Sequence, residues 1–358
     1  MSKYQRYIFW IFLIFLIIFR YFSTRPVYKN GDTVRITTEV LSEPIKYETS
    51  QYFKLQGLKI YLPLYPEINY GDLIVIEGRV NLAKRNLQEI KLIEIKQSGN
   101  YLYKLRGKII SFYQKTLPEP HSSLIAGMTL GSKSSIPIEF WESLKKSGTA
   151  HVVVASGMNV SLVAGFLIGL LVLFLPRRKA IPLTLLGIWI YAILCGFEAP
   201  IIRAAVMGSV AFTAVYLGRV AYAFRTLLLT VMLMLVVNPD WVRDIGFILS
   251  FAATASLLIF ESRVRRFISF VPGIFREGLS TSLAAQIGVF PILYYTFGYF
   301  NPLSPLINAL ILWTVPIITT IGMISGLIGI VVEPVGRVML FLAYPLTSWF
   351  ILIVQRFG

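Results

Sequence analysis

Gly148-Thr-Ala-His-Val-Val-Val-Ala-Ser-Gly-Met-Asn-Val-Ser-Leu-Val-Ala-Gly-Phe-Leu-Ile-Gly-Leu170 is the stretch whose reading decides the fold. It is apolar enough for a bilayer, yet it carries His151, Ser156, Asn159 and Ser161. Polar groups at membrane depth are costly unless they pair with one another or line a wet cavity. Gly157, between Ser156 and Asn159, marks a place where a helix loses regularity and backbone groups need partners. The pattern predicts a broken membrane helix lining a polar route, housed by the other apolar segments.

Composition agrees with that class. The 358 residues are 56% hydrophobic, with long apolar runs. The net charge of +16, from 34 Lys and Arg against 18 Asp and Glu, needs no ligand to explain all of it. Loops on the cytoplasmic side of membrane proteins collect basic residues. The single cysteine, Cys195, excludes an intramolecular disulfide and a cysteine-based metal site. Two histidines, His121 and His151, are too few for the usual His-rich catalytic zinc site. No cofactor or metal is implied.

Working outward toward the N-terminus, Tyr7 to Phe22 is a continuous apolar run behind Lys3 and Arg6. Its exit lacks the small-residue cleavage site of a signal peptide, so it reads as an uncleaved anchor, residues 1–25, with its N-terminus inside. Residues 26–100 change to strand-like alternation in about five runs: Thr33–Leu41, Tyr52–Leu55, Leu58–Leu62, Leu73–Val80 and Glu89–Ile95. Gly31-Asp32 and Gly71-Asp72 open two of these as turns. The pattern fits a small barrel of the oligonucleotide/oligosaccharide-binding (OB) type, placed outside the cytoplasm by the anchor. Tyr52, Phe53, Tyr61, Tyr65 and Tyr70 are either stacking faces for bases or ordinary core and rim residues.

Residues 101–148 read as an amphipathic, interfacial and basic segment. Leu102, Leu105, Ile109, Phe112 and Tyr113 mark one side of a helix, with Lys104, Arg106, Lys108 and Lys115 on the other. Lys133 lies in the turn-rich Ser132–Pro137, and a second surface helix ends in Lys145-Lys146. With 7 basic and 3 acidic residues this is the most basic stretch expected outside, hence the expected catcher of an anion.

Residues 149–358 form a polytopic domain. Its expected spans are Val152–Leu175, Ile181–Phe197, Ile201–Leu217, Leu227–Val237, Ile245–Phe260, Leu279–Phe297, Leu303–Val332 kinked at Pro316, and Val335–Val354. Loops rich in Arg and Lys alternate with poor ones, and the rich ones are placed inside. Further polar residues punctuate the spans. Glu198 and Arg203 sit close enough to interact at a helix junction, and Ser250 and Thr254 share a helix face. Gln286 precedes Pro291, and Asn308 follows Pro305. Together with His151, Ser156, Gly157 and Asn159 these are the candidate pathway-lining residues. The DNA-binding candidates are Lys133, Lys145, Lys146, Tyr52 and Tyr61. The competing reading of each polar residue is a bond to a neighbouring helix.

His151 and Ser156 also admit a membrane hydrolase, but no carboxylate lies nearby in sequence to orient the histidine. Phosphate-cradling Gly-rich motifs and paired metal-binding carboxylates are absent from the sequence. A channel or transporter without chemistry of its own is therefore expected, for DNA or for another polar or anionic solute.

The motifs taken in order resemble those of ComEC-type competence proteins, inner-membrane channels for DNA uptake. The resemblance rests on Ser147-Gly-Thr-Ala-His-Val-Val-Val-Ala-Ser-Gly-Met-Asn-Val160, Pro200-Ile-Ile-Arg-Ala-Ala-Val-Met207 and the run from Asn238-Pro-Asp-Trp to Ser250-Phe-Ala-Ala-Thr254. Gln286-Ile-Gly-Val-Phe-Pro291 and Phe297-Gly-Tyr-Phe-Asn-Pro-Leu-Ser304 follow. The resemblance implies passage of single-stranded DNA into the cytoplasm through a multi-pass protein of the cytoplasmic membrane, surrounded by membrane lipid. It also implies a cytoplasmic helicase-like motor and an extracytoplasmic DNA receptor. Family members commonly have a histidine where this chain has Asn159, and many continue into a metallo-β-lactamase-like domain. This sequence stops at Gly358, so strand degradation is expected either from a separate nuclease or from a longer chain of which this is a fragment.

Overall fold

The two Gly-Asp turns show how the sheet is started. Gly31 and Gly71 take positive φ of 93° and 89°, and the aspartate that follows each accepts the N–H three residues back at 2.8 Å, Lys29 for Asp32 and Asn69 for Asp72. In this computed structural model, residues 3–23, 29–40, 43–46, 49–55, 58–82, 86–154, 156–220, 222–298 and 301–358 are described. The expected boundary at Arg25–Pro26, Leu41, Ala155 and the Tyr299-Phe300 pair lie outside them.

The strands are β1 (Thr33–Glu39), β2 (Ile45–Lys46), β3 (Ser50–Leu55), β4 (Leu58–Pro63), β5 (Leu73–Asn81) and β6 (Asn86–Lys96). They form one mixed sheet in the order β1-β5-β6-β4-β3-β2, with β4 parallel to β6 and the other pairings antiparallel. Period-two alternation sends Ile36, Phe53, Leu58, Ile60, Leu62, Ile74, Ile76, Val80 and Leu87 into one cluster. The five expected runs become six strands because two residues, Ile45 and Lys46, pair with β3.

The remaining chain is helical: α1 (Lys3–Ser23), α2 (Tyr101–Thr116), α3 (His121–Leu130), α4 (Ile138–Lys146), α5 (Gly157–Phe174), α6 (Arg177–Leu194) and α7 (Ala199–Tyr216). Then come α8 (Ala223–Val237), a 3-10 turn at Pro239–Arg243, α9 (Ile245–Phe267), α10 (Gly273–Phe297), α11 (Ser304–Ile311), α12 (Thr314–Val331), α13 (Glu333–Phe341) and α14 (Tyr344–Phe357). Asn100 caps α2 and Asp244 caps α9, each side chain accepting a first-turn N–H.

Among the described residues, four helices are long and apolar enough to cross a membrane: α5, α7, α9 and α12. The pair α13 and α14 passes the same test as one span bent by 46°. Two sequence expectations change here. The run Leu303–Val332 is not one helix kinked at Pro316; it breaks at Leu312-Trp313 and Pro316 lies in the first turn of α12, where a missing N–H is harmless. Likewise Val335–Val354 is interrupted between Phe341 and Tyr344, with Pro345 at the start of α14.

The chain divides into two compact units. One comprises residues 1–27, 164–188 and 199–300, in which α7, α8, α9 and α10 pack in sequence and α1 lies against α8. In it α9 and α10 meet closely at Gly288, and Ser256 Oγ donates to the Ala284 carbonyl at 2.6 Å. The other comprises residues 28–163, 189–198 and 301–358 and holds the sheet and the α2–α4 and α11–α14 helices. Its core is α3, buried at every residue after His121. The apolar face of α2 packs on protein: Ile109, Phe112 and Tyr113 are buried against α12. Gly322, Gly326 and Gly329 of α12 leave the groove that receives Thr129, Tyr113 and Phe112, and the Tyr113 hydroxyl donates to the Gly322 carbonyl at 2.8 Å.

Candidate functional site

The opening stretch is held by two distant pieces of chain. Two residues past the end of α4, Gly148 turns the backbone with a φ of 73°, and the N–H groups of Thr149 and Ala150 return to the Leu144 carbonyl. Asn301 Nδ2 donates to the Lys146 carbonyl at 2.7 Å and Ser304 Oγ to that of Gly148 at 3.3 Å. A Cβ at Gly148 would stand 2.7 Å from Ser304 Oγ, so the close approach needs glycine. On the other side, Gly127 of α3 lets the Val153 backbone pass over it. The motifs around Gly148 and Asn301 thus share one purpose, fixing the turn that precedes α5.

That turn corrects the expected broken helix. Residues 149–154 are turns and bends, and α5 begins at Gly157, so the interruption falls ahead of a regular 18-residue helix. His151 is exposed on the turn, and Ser156 gives its carbonyl to Asn159 N–H. Among the described residues no hydrogen bond joins His151 to Ser156. Asn159 is 2% exposed and donates to the Met128 carbonyl at 2.6 Å. Next to it the Tyr191 hydroxyl donates to the Thr129 carbonyl at 2.8 Å. Asn308 is likewise buried, its Nδ2 3.4 Å from Ser304 Oγ. Asn159 thus bonds a neighbouring helix, the competing role that polar residues in apolar helices allow, whereas the Ser304 partner of Asn308 lies one turn back in α11. Gln286 is partly buried on α10, which continues through Pro291.

Arg203 occupies the second turn of α7. Its Nε donates to Ser250 Oγ at 2.7 Å and its Nη1 to Thr254 Oγ1 at 2.5 Å. The Phe251 ring lies 5.9 Å from the guanidinium carbon. Ser250 and Thr254 share one face of α9, and both are spent on this cation. Among the described residues no carboxylate pairs with Arg203. Glu198 takes Lys133 at 2.6 Å.

Lys133 belongs to a second basic cluster that the sequence reading missed. Glu43 accepts from Ser132 Oγ at 2.8 Å, Ser134 Oγ at 3.0 Å, Arg106 Nη1 at 3.4 Å and Lys133 N–H at 2.7 Å. Arg106 is 4% exposed and lies over the Tyr70 ring at 4.9 Å. It is therefore not on the solvated side of α2 where the sequence placed it. Spacing held the signal: Arg106 stands three and seven residues before the buried Ile109 and Tyr113, on the same helix face. Burial alone would raise the Glu43 carboxyl, but the Arg106 charge and the hydrogen bonds from Ser132 and Lys133 outweigh it and leave the group below its ordinary value. Glu43 is accordingly ionised at neutral pH.

The other nominated residues separate by exposure. Tyr52 and Tyr61 are cross-strand partners with ring centroids 4.9 Å apart, and Tyr61 is 47% exposed. Phe53 is core, and Tyr70 is buried with its hydroxyl donating to the Ile193 carbonyl at 3.1 Å. Lys145 pairs with Glu142 on the exposed face of α4, and Lys146 follows it at the end of that helix.

A mostly helical protein with candidate membrane spans, a small mixed sheet and a partly buried cation held by two hydroxyls is the class this architecture defines. The family described as "Competence protein" matches residues 128–358, and the chain belongs to that family. It is 31% identical over 215 residues to ComE operon protein 3 of Bacillus subtilis (strain 168), covering 59% of this chain and 27% of that protein. It is 26% identical over 215 residues to Competence protein ComA of Neisseria gonorrhoeae, covering 57% and 30% respectively. A third relative, Uncharacterized protein YcaI of Escherichia coli (strain K12), is 34% identical over 112 residues, covering 28% and 15%. The matched segment thus spans less than a third of the length of these relatives. No solved structure matches the chain.

Proposed function

We propose that this chain is a channel of the cytoplasmic membrane that passes single-stranded DNA inward during natural transformation, without chemistry of its own. Membership of the competence family supports a role in DNA uptake. The observation that carries the channel reading is Arg203. A cation on a helix apolar enough to span a membrane, solvated by two hydroxyls and paired with no described carboxylate, is arranged to receive an anion. A single strand is a flexible polyanion that basic side chains attract and aromatic faces tolerate.

In this account residues 1–25 anchor the chain with its N-terminus inside, and residues 26–100 form an OB-like domain outside. Residues 101–148 carry the basic segment, and residues 149–358 build the channel within the lipid. Arg203 then lies near the outer end of its span, where the strand enters, and Tyr61 with Tyr52 offers a stacking face on the outer domain. A helicase-like motor supplies the inward pull, an outer receptor delivers DNA, and a separate nuclease removes the other strand. Deleting the gene tests this: labelled DNA should still bind the cell surface while its nuclease-protected entry is lost. Entry persisting in the deletion strain would overturn the proposal.

A further inference from the structure

Glu43 sits among donors that would suit a larger anion better than a carboxylate. Three donors converge on its Oε1, from Ser132, Ser134 and Arg106, and the Lys133 N–H meets Oε2. The guanidinium is poorly used. It reaches Glu43 through one nitrogen at 3.4 Å instead of a two-point fork, and Nη2 turns to the Leu130 carbonyl at 3.3 Å. Its Nε is buried without an acceptor, and so is Ser135 Oγ in the same loop. Unpaired buried donors are rare and call for an explanation. The two non-bridging oxygens of a phosphodiester stand on a tetrahedral phosphorus, farther apart than those of a carboxylate, and suit the two-point fork of a guanidinium.

Lys133, one step along the loop, repeats the pattern. Its ammonium is held by Glu198, and both side chains keep about 30% of their surface exposed. Each cation of this cluster is thus covered by an acidic residue from elsewhere in the chain. Glu43 comes from the connection between β1 and β2, outside any strand.

We propose that residues 132–135 and Arg106 form a phosphate-binding cradle in which Glu43 is an internal plug, displaced by a backbone phosphate of the incoming strand. The source of the phosphate rests on the DNA-channel reading; the cradle itself does not. Displacement would also release the β1–β2 connection from the helical part of its unit, coupling arrival of DNA to a local rearrangement.

The test uses the full chain in lipid nanodiscs at fixed ionic strength. Inorganic phosphate is followed by phosphorus-31 line broadening and a 12-nucleotide fluorescent single strand by anisotropy. Glu43→Gln should bind both at least tenfold more tightly than wild type, and adding Arg106→Gln should abolish the gain. Glu43→Asp, which keeps the charge on a shorter stem, should show a smaller gain and is read instead if Glu43→Gln does not fold. Phosphate affinity unchanged in the folded variant overturns the cradle. Strand binding equal in wild type and variant removes the plug and leaves the channel reading standing. A gain for phosphate with no strand binding in any variant keeps the cradle and removes the DNA reading.

Discussion

Replacing Arg203 with methionine separates a transport role from a packing role. The variant loses two hydrogen bonds from a charged group, to Ser250 and Thr254, together about 3–6 kcal/mol at about 1.5–3 each. It also removes a charge whose burial at the bilayer centre costs about 2.5–3.5 kcal/mol on insertion scales, and less toward the helix end. Arg203 stands about 6 Å along the axis from the start of α7, so part of that relief applies. Thr254 keeps a partner, since its hydroxyl also donates to the Ser250 carbonyl at 2.9 Å. The methionine stem fills much of the vacated volume. A net loss of roughly 0–4 kcal/mol follows from these terms, and the protein should still accumulate in the membrane. The effect on DNA entry is larger. One charge-assisted contact with phosphate, at about 1.5–3 kcal/mol, converts to a fall of about 10- to 150-fold at roughly 1.4 kcal/mol per factor of ten. The assay is transformation frequency, normalised to the amount of membrane-inserted protein, with Arg203→Lys alongside. Lysine keeps the charge but not the fork, so it should retain part of the activity. Wild-type frequency with normally inserted Arg203→Met would refute the reasoning.

Three further outcomes are expected. Gly326→Ala should destabilise by about 1–3 kcal/mol, because its Cβ would stand 2.5 Å from the Tyr113 hydroxyl and 2.8 Å from Ile109 Cγ2; Gly107→Ala, with open space around it, should instead stabilise by about 0.5–1 kcal/mol, both read by thermal unfolding in detergent. The depressed Glu43 carboxyl stabilises the fold above its ordinary value of 4.5, and this contribution fades as pH falls through the lower folded value. The stability gap between wild type and Glu43→Gln should therefore be full at pH 6–7 and narrow as the pH is taken below 4.5 in denaturant titrations. Tyr61→Ala should leave stability nearly unchanged but weaken single-strand binding by about 1–3 kcal/mol if a base stacks there, measured by anisotropy.

Local signals read well where one element answers to its own residues. The Gly-Asp turns at Gly31 and Gly71 and the strand alternation through Leu58 to Leu62 are visible in sequence, because each is decided within a few positions. The helix breaks were legible in kind and shifted in place. Proline reads as an interruption, yet Pro316 and Pro345 sit inside first turns, where they start helices. What stayed hidden depended on partners far along the chain. Nothing near Glu43 announces a loop ninety residues away, and nothing near Asn301 announces Lys146. Asn159 illustrates the same ambiguity: a polar residue in an apolar helix suits a wet route or a dry carbonyl, and only the neighbour decides. Arg106 is the instructive miss, since its charge suggested solvent while its spacing from Ile109 and Tyr113 pointed inward.

The central claim is that a charged strand crosses through this chain. The direct measurement is entry of a labelled single strand into sealed vesicles holding the purified protein, with an inside-positive potential standing in for the motor. Strand protected from added nuclease should accumulate in vesicles with wild-type protein, much less in those with Arg203→Met, and duplex of the same length should stay outside. Protection no greater than in protein-free vesicles, at a potential that drives the strand through a control pore, would contradict the account.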